Sequence, residues 1–334
     1  MIHKRDAKAW AREHMKGLWS TPMFAFKDDF SIDEAGMKKN VDYLVAVKAD
    51  GIGFGYSEPW VCTLEERKRA MEVSVDAVNK RVPAYVHATD HSVAETINLI
   101  KHAESVGADA VQVWPPYEWA KTQDMAVEYY EYICSKTDIA MFAYNTLHSG
   151  IGLTPETLAR IAKIPNICAI KDALNDIPHV LRTQELCGDL AVVSDPHEHN
   201  LITMTLQFKH TLMLGTTSVY LMQSPHYQPI REYYQLAIQG KEAEAAKKFY
   251  ELKPLRDLWF GIYEGLWKKE VASHPLTFIK YWMELNGMAA GPVRPPMKQL
   301  TEKEKEWFRG QLEATGWFGK LFPDRANLLK KAAA

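Results

Sequence analysis

Lys171 ends the apolar run Ile167-Cys168-Ala169-Ile170, where a lysine is costly unless it has a task. An ammonium beside buried apolar groups is strongly disfavoured, so the amine tends to lose its proton. A neutral lysine amine is a nucleophile that forms Schiff bases with carbonyl substrates. At the reference pKa of about 10.4, only about one lysine in 2,500 is neutral at pH 7. A desolvating site is therefore what this chemistry requires. Tyr144 ends a second apolar run, Ile139–Tyr144. Its phenol is suited to shuttle the proton that carbinolamine formation, dehydration and carbon–carbon cleavage each need. A plainer reading stands beside each residue: Lys171 as the ion-pair partner of Asp172 or Asp176, and Tyr144 as a rim aromatic.

Other residues carry weaker signals. His87 and His91 are spaced as a hydrogen-bonded rim pair. Asp195, His197 and His199 look like metal ligands, but Pro196 and the helical pattern after it suggest a loop and a helix N-cap. A metal-dependent barrel hydrolase or lyase built on His87, Asp195, His197 and His199 stays open as an alternative. So does a non-catalytic barrel that binds a keto-acid or aromatic metabolite. Cys62, Cys134, Cys168 and Cys187 form no C-x-x-C pair and read as reduced cytosolic thiols.

These residues must be positioned by a scaffold. Strand-like runs fall at Gly17–Phe24, Gly51–Gly55, Val82–Ala88, Ala110–Trp114, Ile139–Tyr144, Ile167–Lys171, Ala191–Ser194 and Thr211–Gly215. Amphipathic stretches such as Asp33–Val47, Leu64–Asn79, Val93–Val106 and Pro155–Ala162 lie between them. Ser92 with Glu95 reads as a capping box, and Thr154 before Pro155 as an N-cap with proline at the first helical position. Strand–helix alternation repeated about eight times predicts an α/β fold, a (β/α)8 TIM barrel with appended C-terminal helices. A doubly wound open sheet would bring a glycine-rich phosphate loop. Gly51-Ile52-Gly53-Phe54-Gly55 has the wrong spacing for one.

The expected divisions are an N-terminal extension (1–15), the barrel (16–240) and a C-terminal helical region (241–334). The last carries Trp259, Trp267, Trp282, Trp307 and Trp317, read as core or subunit contact, and a loop at Gly291–Pro296. A net charge of −2 and a pI of about 6.6 suggest neither a nucleic-acid nor an anionic-membrane partner. The first residues lack an apolar signal core and no run of about 18 apolar residues exists. A cytoplasmic location is the expectation.

A barrel places its reacting groups at the C-terminal ends of its strands. Side chains alternate inward and outward at period two. If Lys171 points in, Ala169 and Ile167 do too, with Cys168 and Ile170 on the helix side. Tyr144 then points in with Phe142 and Ala140. Adjacent strands lie about 4.8 Å apart, so amine and phenol can meet one small substrate.

In this order along the chain, a set of short motifs resembles the dihydrodipicolinate synthase/N-acetylneuraminate lyase family of class I aldolases. They are Ser20-Thr21-Pro22-Met23, Thr63–Arg67, Val82-Pro83, Ala103–Asp109, Trp114–Tyr117, Tyr144-Asn145, Leu153–Glu156 and Ile170–Ala173. The segments Gly291–Pro296 and Asp195-Pro196-His197-Glu198 are more similar to its hydratase-aldolase branch, which cleaves aryl-substituted 2-keto acids. The resemblance implies that Lys171 forms the Schiff base, Tyr144 transfers protons, and Tyr117 reaches into a neighbouring subunit's relay. It implies a homotetramer or dimer of dimers, and no metal or organic cofactor. Ser57 would replace the hydroxyl that holds the pyruvate carboxylate. That loop reads Gly55-Tyr56-Ser57-Glu58-Pro59-Trp60 and departs from the family's "G[ST]TGE", so Tyr56 and Ser57 are the candidate clamp. Thr216, Trp60, Asn145 and His148 join them as candidate substrate-binding residues. The segment Tyr144–Gly150 lacks the arginine that binds a second carboxylate in the lysine-biosynthetic enzyme, which argues against dihydrodipicolinate synthesis. Trp60, Trp114, Trp119, His148 and Tyr220 would suit a bulky or aromatic aldehyde. The expected activity is that of a lyase or aldolase at a pyruvate-type 2-keto acid. Hydration or dehydration of a related acid is the alternative.

Overall fold

Eight short parallel strands form one sheet in the order β7-β6-β5-β4-β3-β2-β1-β8. They are β1 (Gly17–Ser20), β2 (Gly51–Phe54), β3 (Ala84–His87), β4 (Ala110–Val113), β5 (Ala140–Asn145), β6 (Ile167–Asp172), β7 (Val192–Ser194) and β8 (Leu212–Leu214). The computed structural model describes residues 1–55, 58–118, 120–265 and 275–330. Ser194 closes the seam between β7 and β8. Its hydroxyl accepts from the Leu214 amide at 2.8 Å and donates to the Leu212 carbonyl at 3.2 Å. Eight strands closed this way, with helices between them, make a (β/α)8 barrel.

Every strand expected from the sequence is present, most of them shorter than the apolar run. Residues 21–24 leave the sheet after β1. The inner layer is filled by Trp19, Tyr85 and Phe142, whose rings meet at 5.2–6.1 Å. Gly51 and Gly53 make room for them: a Cβ would stand 2.2 Å from the Trp19 ring and 2.1 Å from the Tyr85 ring. Below these rings sits α1 (Ala7–His14), with Ala7, Ala11 and Met15 buried against Trp19 and Cys168. The N-terminal segment is thus a plug on the barrel interior.

One alternation changes. Phe142 and Ala140 point inward as expected. On β6 the register slips, so that Met141 pairs with Ile167 but Phe142 pairs with Ala169. Cys168 is the extra residue of a β-bulge. It packs with the interior cluster, and Ile167 packs with the helix-side core. The bulge leaves Ala169 and Lys171 facing in.

The helices that follow the strands are α2 (Glu34–Ala46), α3 (Leu64–Val78), α4 (Val93–Ser105), α5 (Gln123–Ser135), α6 (Pro155–Ile161), α7 (Ile177–Cys187) and α8 (Glu198–Phe208). Thr154 caps α6 as expected. Ser92 caps α4, but Glu95 turns its carboxylate to Asn98 instead of closing the box. Thr63 and Glu66 form a complete capping box on α3.

After α9 (Ser218–Leu221) the chain continues as α10 (Pro229–Ile238), α11 (Glu242–Glu251), α12 (Lys253–Phe260), α13 (Pro275–Leu285) and α14 (Glu302–Ala314). One core cluster runs through the barrel and these helices. Trp259, Trp282 and Trp317 are buried in it, Trp307 is exposed, and Trp267 lies outside the described residues. Gly291–Pro296 is irregular, as expected. Two buried charge pairs and one partly buried pair fasten the C-terminal region. Arg256 grips Glu198 with two nitrogens, at 2.6 and 2.9 Å. Lys280 pairs with Glu58 at 2.8 Å, and Arg294 reaches Glu66 at 2.6 Å. The four cysteines are free.

Candidate active site

Lys171 projects from the C-terminal end of β6 and is 1% exposed. It is the Cα register partner of Tyr144 on β5. The amine stands 4.7 Å from the centroid of the Tyr144 ring. Desolvation pushes the amine's pKa down to about 7, because a charge far from water is poorly solvated. Near neutral pH about half of the protein then carries a nucleophilic amine.

The carboxylates that would have made Lys171 a structural ion pair are engaged elsewhere. Asp172 points to the helix layer and accepts from Asn145 at 2.9 Å, His179 at 2.7 Å and Thr183 at 3.0 Å. Asp176 caps α7. The alternation of β6 separates these groups: Lys171 faces in, and its neighbour Asp172 faces out.

Aromatic rings wall the side of the site that faces β3 and β4. Trp114 is 6% exposed and its ring centroid lies 5.3 Å from Tyr144, 4.3 Å from His87 and 5.6 Å from Trp60. His148 is exposed, 6.5 Å from Trp114. Trp60 is half-exposed and also faces His91 at 5.7 Å. The expected His87–His91 hydrogen-bonded pair is not formed. Neither His87 ring nitrogen has a hydrogen-bond partner among the described residues.

Thr216 stands at the end of β8. Its carbonyl accepts from Ser20 Oγ at 2.6 Å and from the Thr21 amide. Its hydroxyl lies 3.4 Å from the Tyr263 hydroxyl. Tyr263 stacks on Trp259, whose indole N–H donates to Thr217 at 2.8 Å. Residues from α12 and just beyond it thus reach the β8 rim. Nothing local in the sequence announces these contacts, because they span 42 and 47 residues and a change of element.

Asn145 requires a correction. Expected at the substrate, its carboxamide is turned to the helix side. It donates to Leu153 O and Asp172, and accepts from the Leu153 amide at 2.9 Å. It fixes the segment 146–153 and does not face the Lys171 amine. Tyr220, expected on the rim, is fully buried in the main core cluster. Tyr117 is 54% exposed, with its ring laid on Gly150. That glycine has φ +80, and a Cβ there would come within 1.8 Å of the ring. Tyr56, Ser57 and Trp119 lie outside the described residues.

Glu58 was not singled out by the sequence. It is buried beside the site and receives the Phe24 amide and Lys280, while Lys280 also donates to Phe24 O at 3.0 Å. The segment after β1 is thereby held by a residue from α13. At β7, Asp195 orients His197 through Nδ1 at 2.6 Å and also accepts from Asn200. These contacts build the N-terminus of α8.

The family model described as the dihydrodipicolinate synthetase family matches residues 14–315. A 4-hydroxy-tetrahydrodipicolinate synthase of Methanopyrus kandleri is 30% identical over 308 residues, 90% of this chain and 97% of that one. A probable 5-dehydro-4-deoxyglucarate dehydratase of Bradyrhizobium diazoefficiens is 28% identical over 91% of this chain and 93% of its own length. Among solved structures, a prophage protein of the dihydrodipicolinic acid synthase family from E. coli K12, in complex with pyruvate, superposes with a TM-score of 0.77 at 23% identity. The match covers 90% of this chain and 99% of that one. A match to the family model over nearly the whole chain settles the classification: this chain belongs to the dihydrodipicolinate synthetase family, a family of Schiff-base lyases.

Proposed function

We propose that the chain is a class I lyase that makes or breaks a carbon–carbon bond next to a pyruvate-type 2-keto acid through an imine at Lys171. The observation that carries this reading is the buried amine with its depressed pKa, 4.7 Å from the Tyr144 ring centroid. The neutral amine adds to the keto carbon, and the carbinolamine loses water to give a protonated imine. On cleavage, the C3–C4 electron pair moves into the imine as an enamine, and the C4 hydroxyl becomes an aldehyde carbonyl. Tyr144 supplies and removes protons in these steps. The protonated imine is the electron sink, so the reaction requires neither metal nor organic cofactor.

The aromatic wall of Trp114, Trp60 and His148 supports a bulky or aromatic aldehyde as partner. Tyr56 and Ser57 are assigned to the carboxylate end, and Thr216 to substrate binding. Tyr117, exposed at the rim, is assigned to a neighbouring subunit's relay in a cytoplasmic homotetramer or dimer of dimers. Dehydration of a hydroxylated 2-keto acid through the same imine is a second reading, favoured by the Bradyrhizobium relative. Incubating the protein with pyruvate and aliphatic, sugar and aromatic aldehydes, followed by mass analysis of products, tests the proposal. Condensation products support the aldolase reading. Loss of water from hydroxylated 2-keto acids, without condensation, supports the second. No product and no imine with any acid refutes both.

A further inference from the structure

Two inward-facing polar side chains in the barrel have no role in the imine chemistry. His87 ends β3, two residues after Tyr85, which fills the inner layer. Alternation therefore turns His87 to the same interior. Gln112 stands two residues after the interior Ala110 and is the Cα register partner of His87. Both are 2% exposed. Both His87 ring nitrogens and the Gln112 Oε1 are buried without a hydrogen-bond partner among the described residues.

Buried polar atoms are nearly always satisfied, so an unsatisfied pair on one interior face calls for an explanation. Their place in the barrel supplies one. Gln112 pairs in register with Phe142, and Phe142 with Ala169, the residue two below Lys171. His87 packs on Trp114, which packs on Tyr144. Burial first, then the Arg67 and Lys171 charges, hold the His87 pKa well below the ordinary value. The ring is therefore neutral, with one N–H and one bare nitrogen. With the Gln112 carbonyl oxygen on the register-paired residue, it offers a donor and an acceptor, the complement of a hydroxyl group.

We infer that His87 and Gln112 are specificity-determining residues that bind a hydroxyl on the substrate's carbon chain beyond the imine carbon. The inference rests on the Schiff-base reading of Lys171. It assigns the site to hydroxylated 2-keto acids over their deoxy counterparts. A site built to hydrogen-bond a hydroxyl rejects the analogue that lacks it, because its own polar groups are then left unpaired.

Borohydride trapping at Lys171, read by peptide mass spectrometry, tests this at the imine, with the intact and the cleaved (pyruvate) adducts of the hydroxylated acid counted together. The acids are 4-hydroxy-2-oxobutanoate, 2-oxobutanoate and pyruvate. In the unaltered protein, half-maximal trapping of the hydroxylated acid is expected at a concentration about tenfold lower than for 2-oxobutanoate. His87→Leu and Gln112→Leu each reduce that advantage to about twofold or less, with pyruvate trapping unchanged. His87→Gln, which keeps a donor and an acceptor, retains part of it. Equal trapping of the two four-carbon acids by the unaltered protein, or an advantage that survives both leucine variants, overturns the inference and leaves the imine intact. Failure to trap any of the three acids overturns the Schiff-base reading, and this inference with it.

Discussion

The Lys171 amine and the Tyr144 ring face each other on adjacent strands, 4.7 Å from nitrogen to ring centroid, with their Cα atoms in register. The aromatic face stabilises the ammonium form, while burial favours the neutral one. Burial dominates, since the amine's pKa falls to about 7. Tyr144→Phe separates the two functions of this residue. The ring that packs on Lys171 and Trp114 stays, and the phenol goes. We expect kcat to fall about 10²–10⁴-fold, with stability changed by no more than about 1 kcal/mol. Steady-state kinetics and thermal unfolding of the variant check this; a kcat within a few-fold of the parent would count against proton transfer by Tyr144.

The depressed lysine pKa sets a pH window. An ordinary lysine titrates near 10.5, and Lys171 near 7. Between these values the unfolded chain holds a proton that the folded chain does not, so stability rises with pH. The slope contributed by this group approaches about 1.4 kcal/mol per unit. Lys171→Met removes the penalty. The variant is expected to be more stable than the parent at pH 7, by an amount that shrinks towards pH 10. Urea unfolding of both proteins at pH 7, 8, 9 and 10 measures it, and a constant difference would contradict a buried neutral amine.

Asn145 and its neighbours make a third prediction. Asn145→Ala removes three hydrogen bonds that tie β5 to Leu153 and Asp172. A loss of about 2–3 kcal/mol is expected, with pyruvate trapping retained at saturating pyruvate. Loss of trapping in a folded variant would return Asn145 to the substrate. The same network raises the His179 pKa through its hydrogen bond to Asp172. Its contribution is full below the unfolded value of about 6.5 and is lost as pH rises through the raised value. The stability deficit of His179→Leu is therefore expected to be larger at pH 5.5 than at pH 8.

Glu58 and Lys280 couple the C-terminal helices to the site. Each is 2% exposed, and both hold the Phe24 backbone. Removing either charge strands the other in the interior, at about 3–5 kcal/mol. Glu58→Gln and Lys280→Met are each expected to lower the unfolding midpoint sharply, and the double substitution to recover part of the loss. A chain ended at residue 240 loses Lys280, Arg256 and their shared core, and is expected not to fold. Soluble, cooperative unfolding of that truncated chain would show the barrel to be independent.

Much of this arrangement is legible in the sequence because it is local. Strand and helix alternate at fixed spacing, and period-two alternation places Lys171, Tyr144 and Phe142 on one interior. The bulge at Cys168 is not legible: it depends on how β6 meets β5, and no turn residue marks it. Ile167 therefore faces the helices rather than the barrel. The Tyr144-Asn145 motif places Asn145 at the substrate, yet neighbours in a strand point to opposite faces. The Glu58–Lys280 pair spans 222 residues, a separation at which a sequence pattern carries no pairing information. His87 was misread for the opposite reason. His91 is near in sequence, but the β3 end directs the His87 ring towards Trp114 instead.

Every step proposed for this site depends on an imine at Lys171. Incubation with pyruvate and borohydride, followed by proteolysis and peptide mass spectrometry, tests it most directly. One reduced adduct is expected per chain, on the peptide that contains Lys171, with a rate that rises to half its plateau near pH 7 and disappears in Lys171→Ala. An adduct on another lysine, or no pyruvate-dependent adduct at any pH between 6 and 9, would rule out imine formation at Lys171.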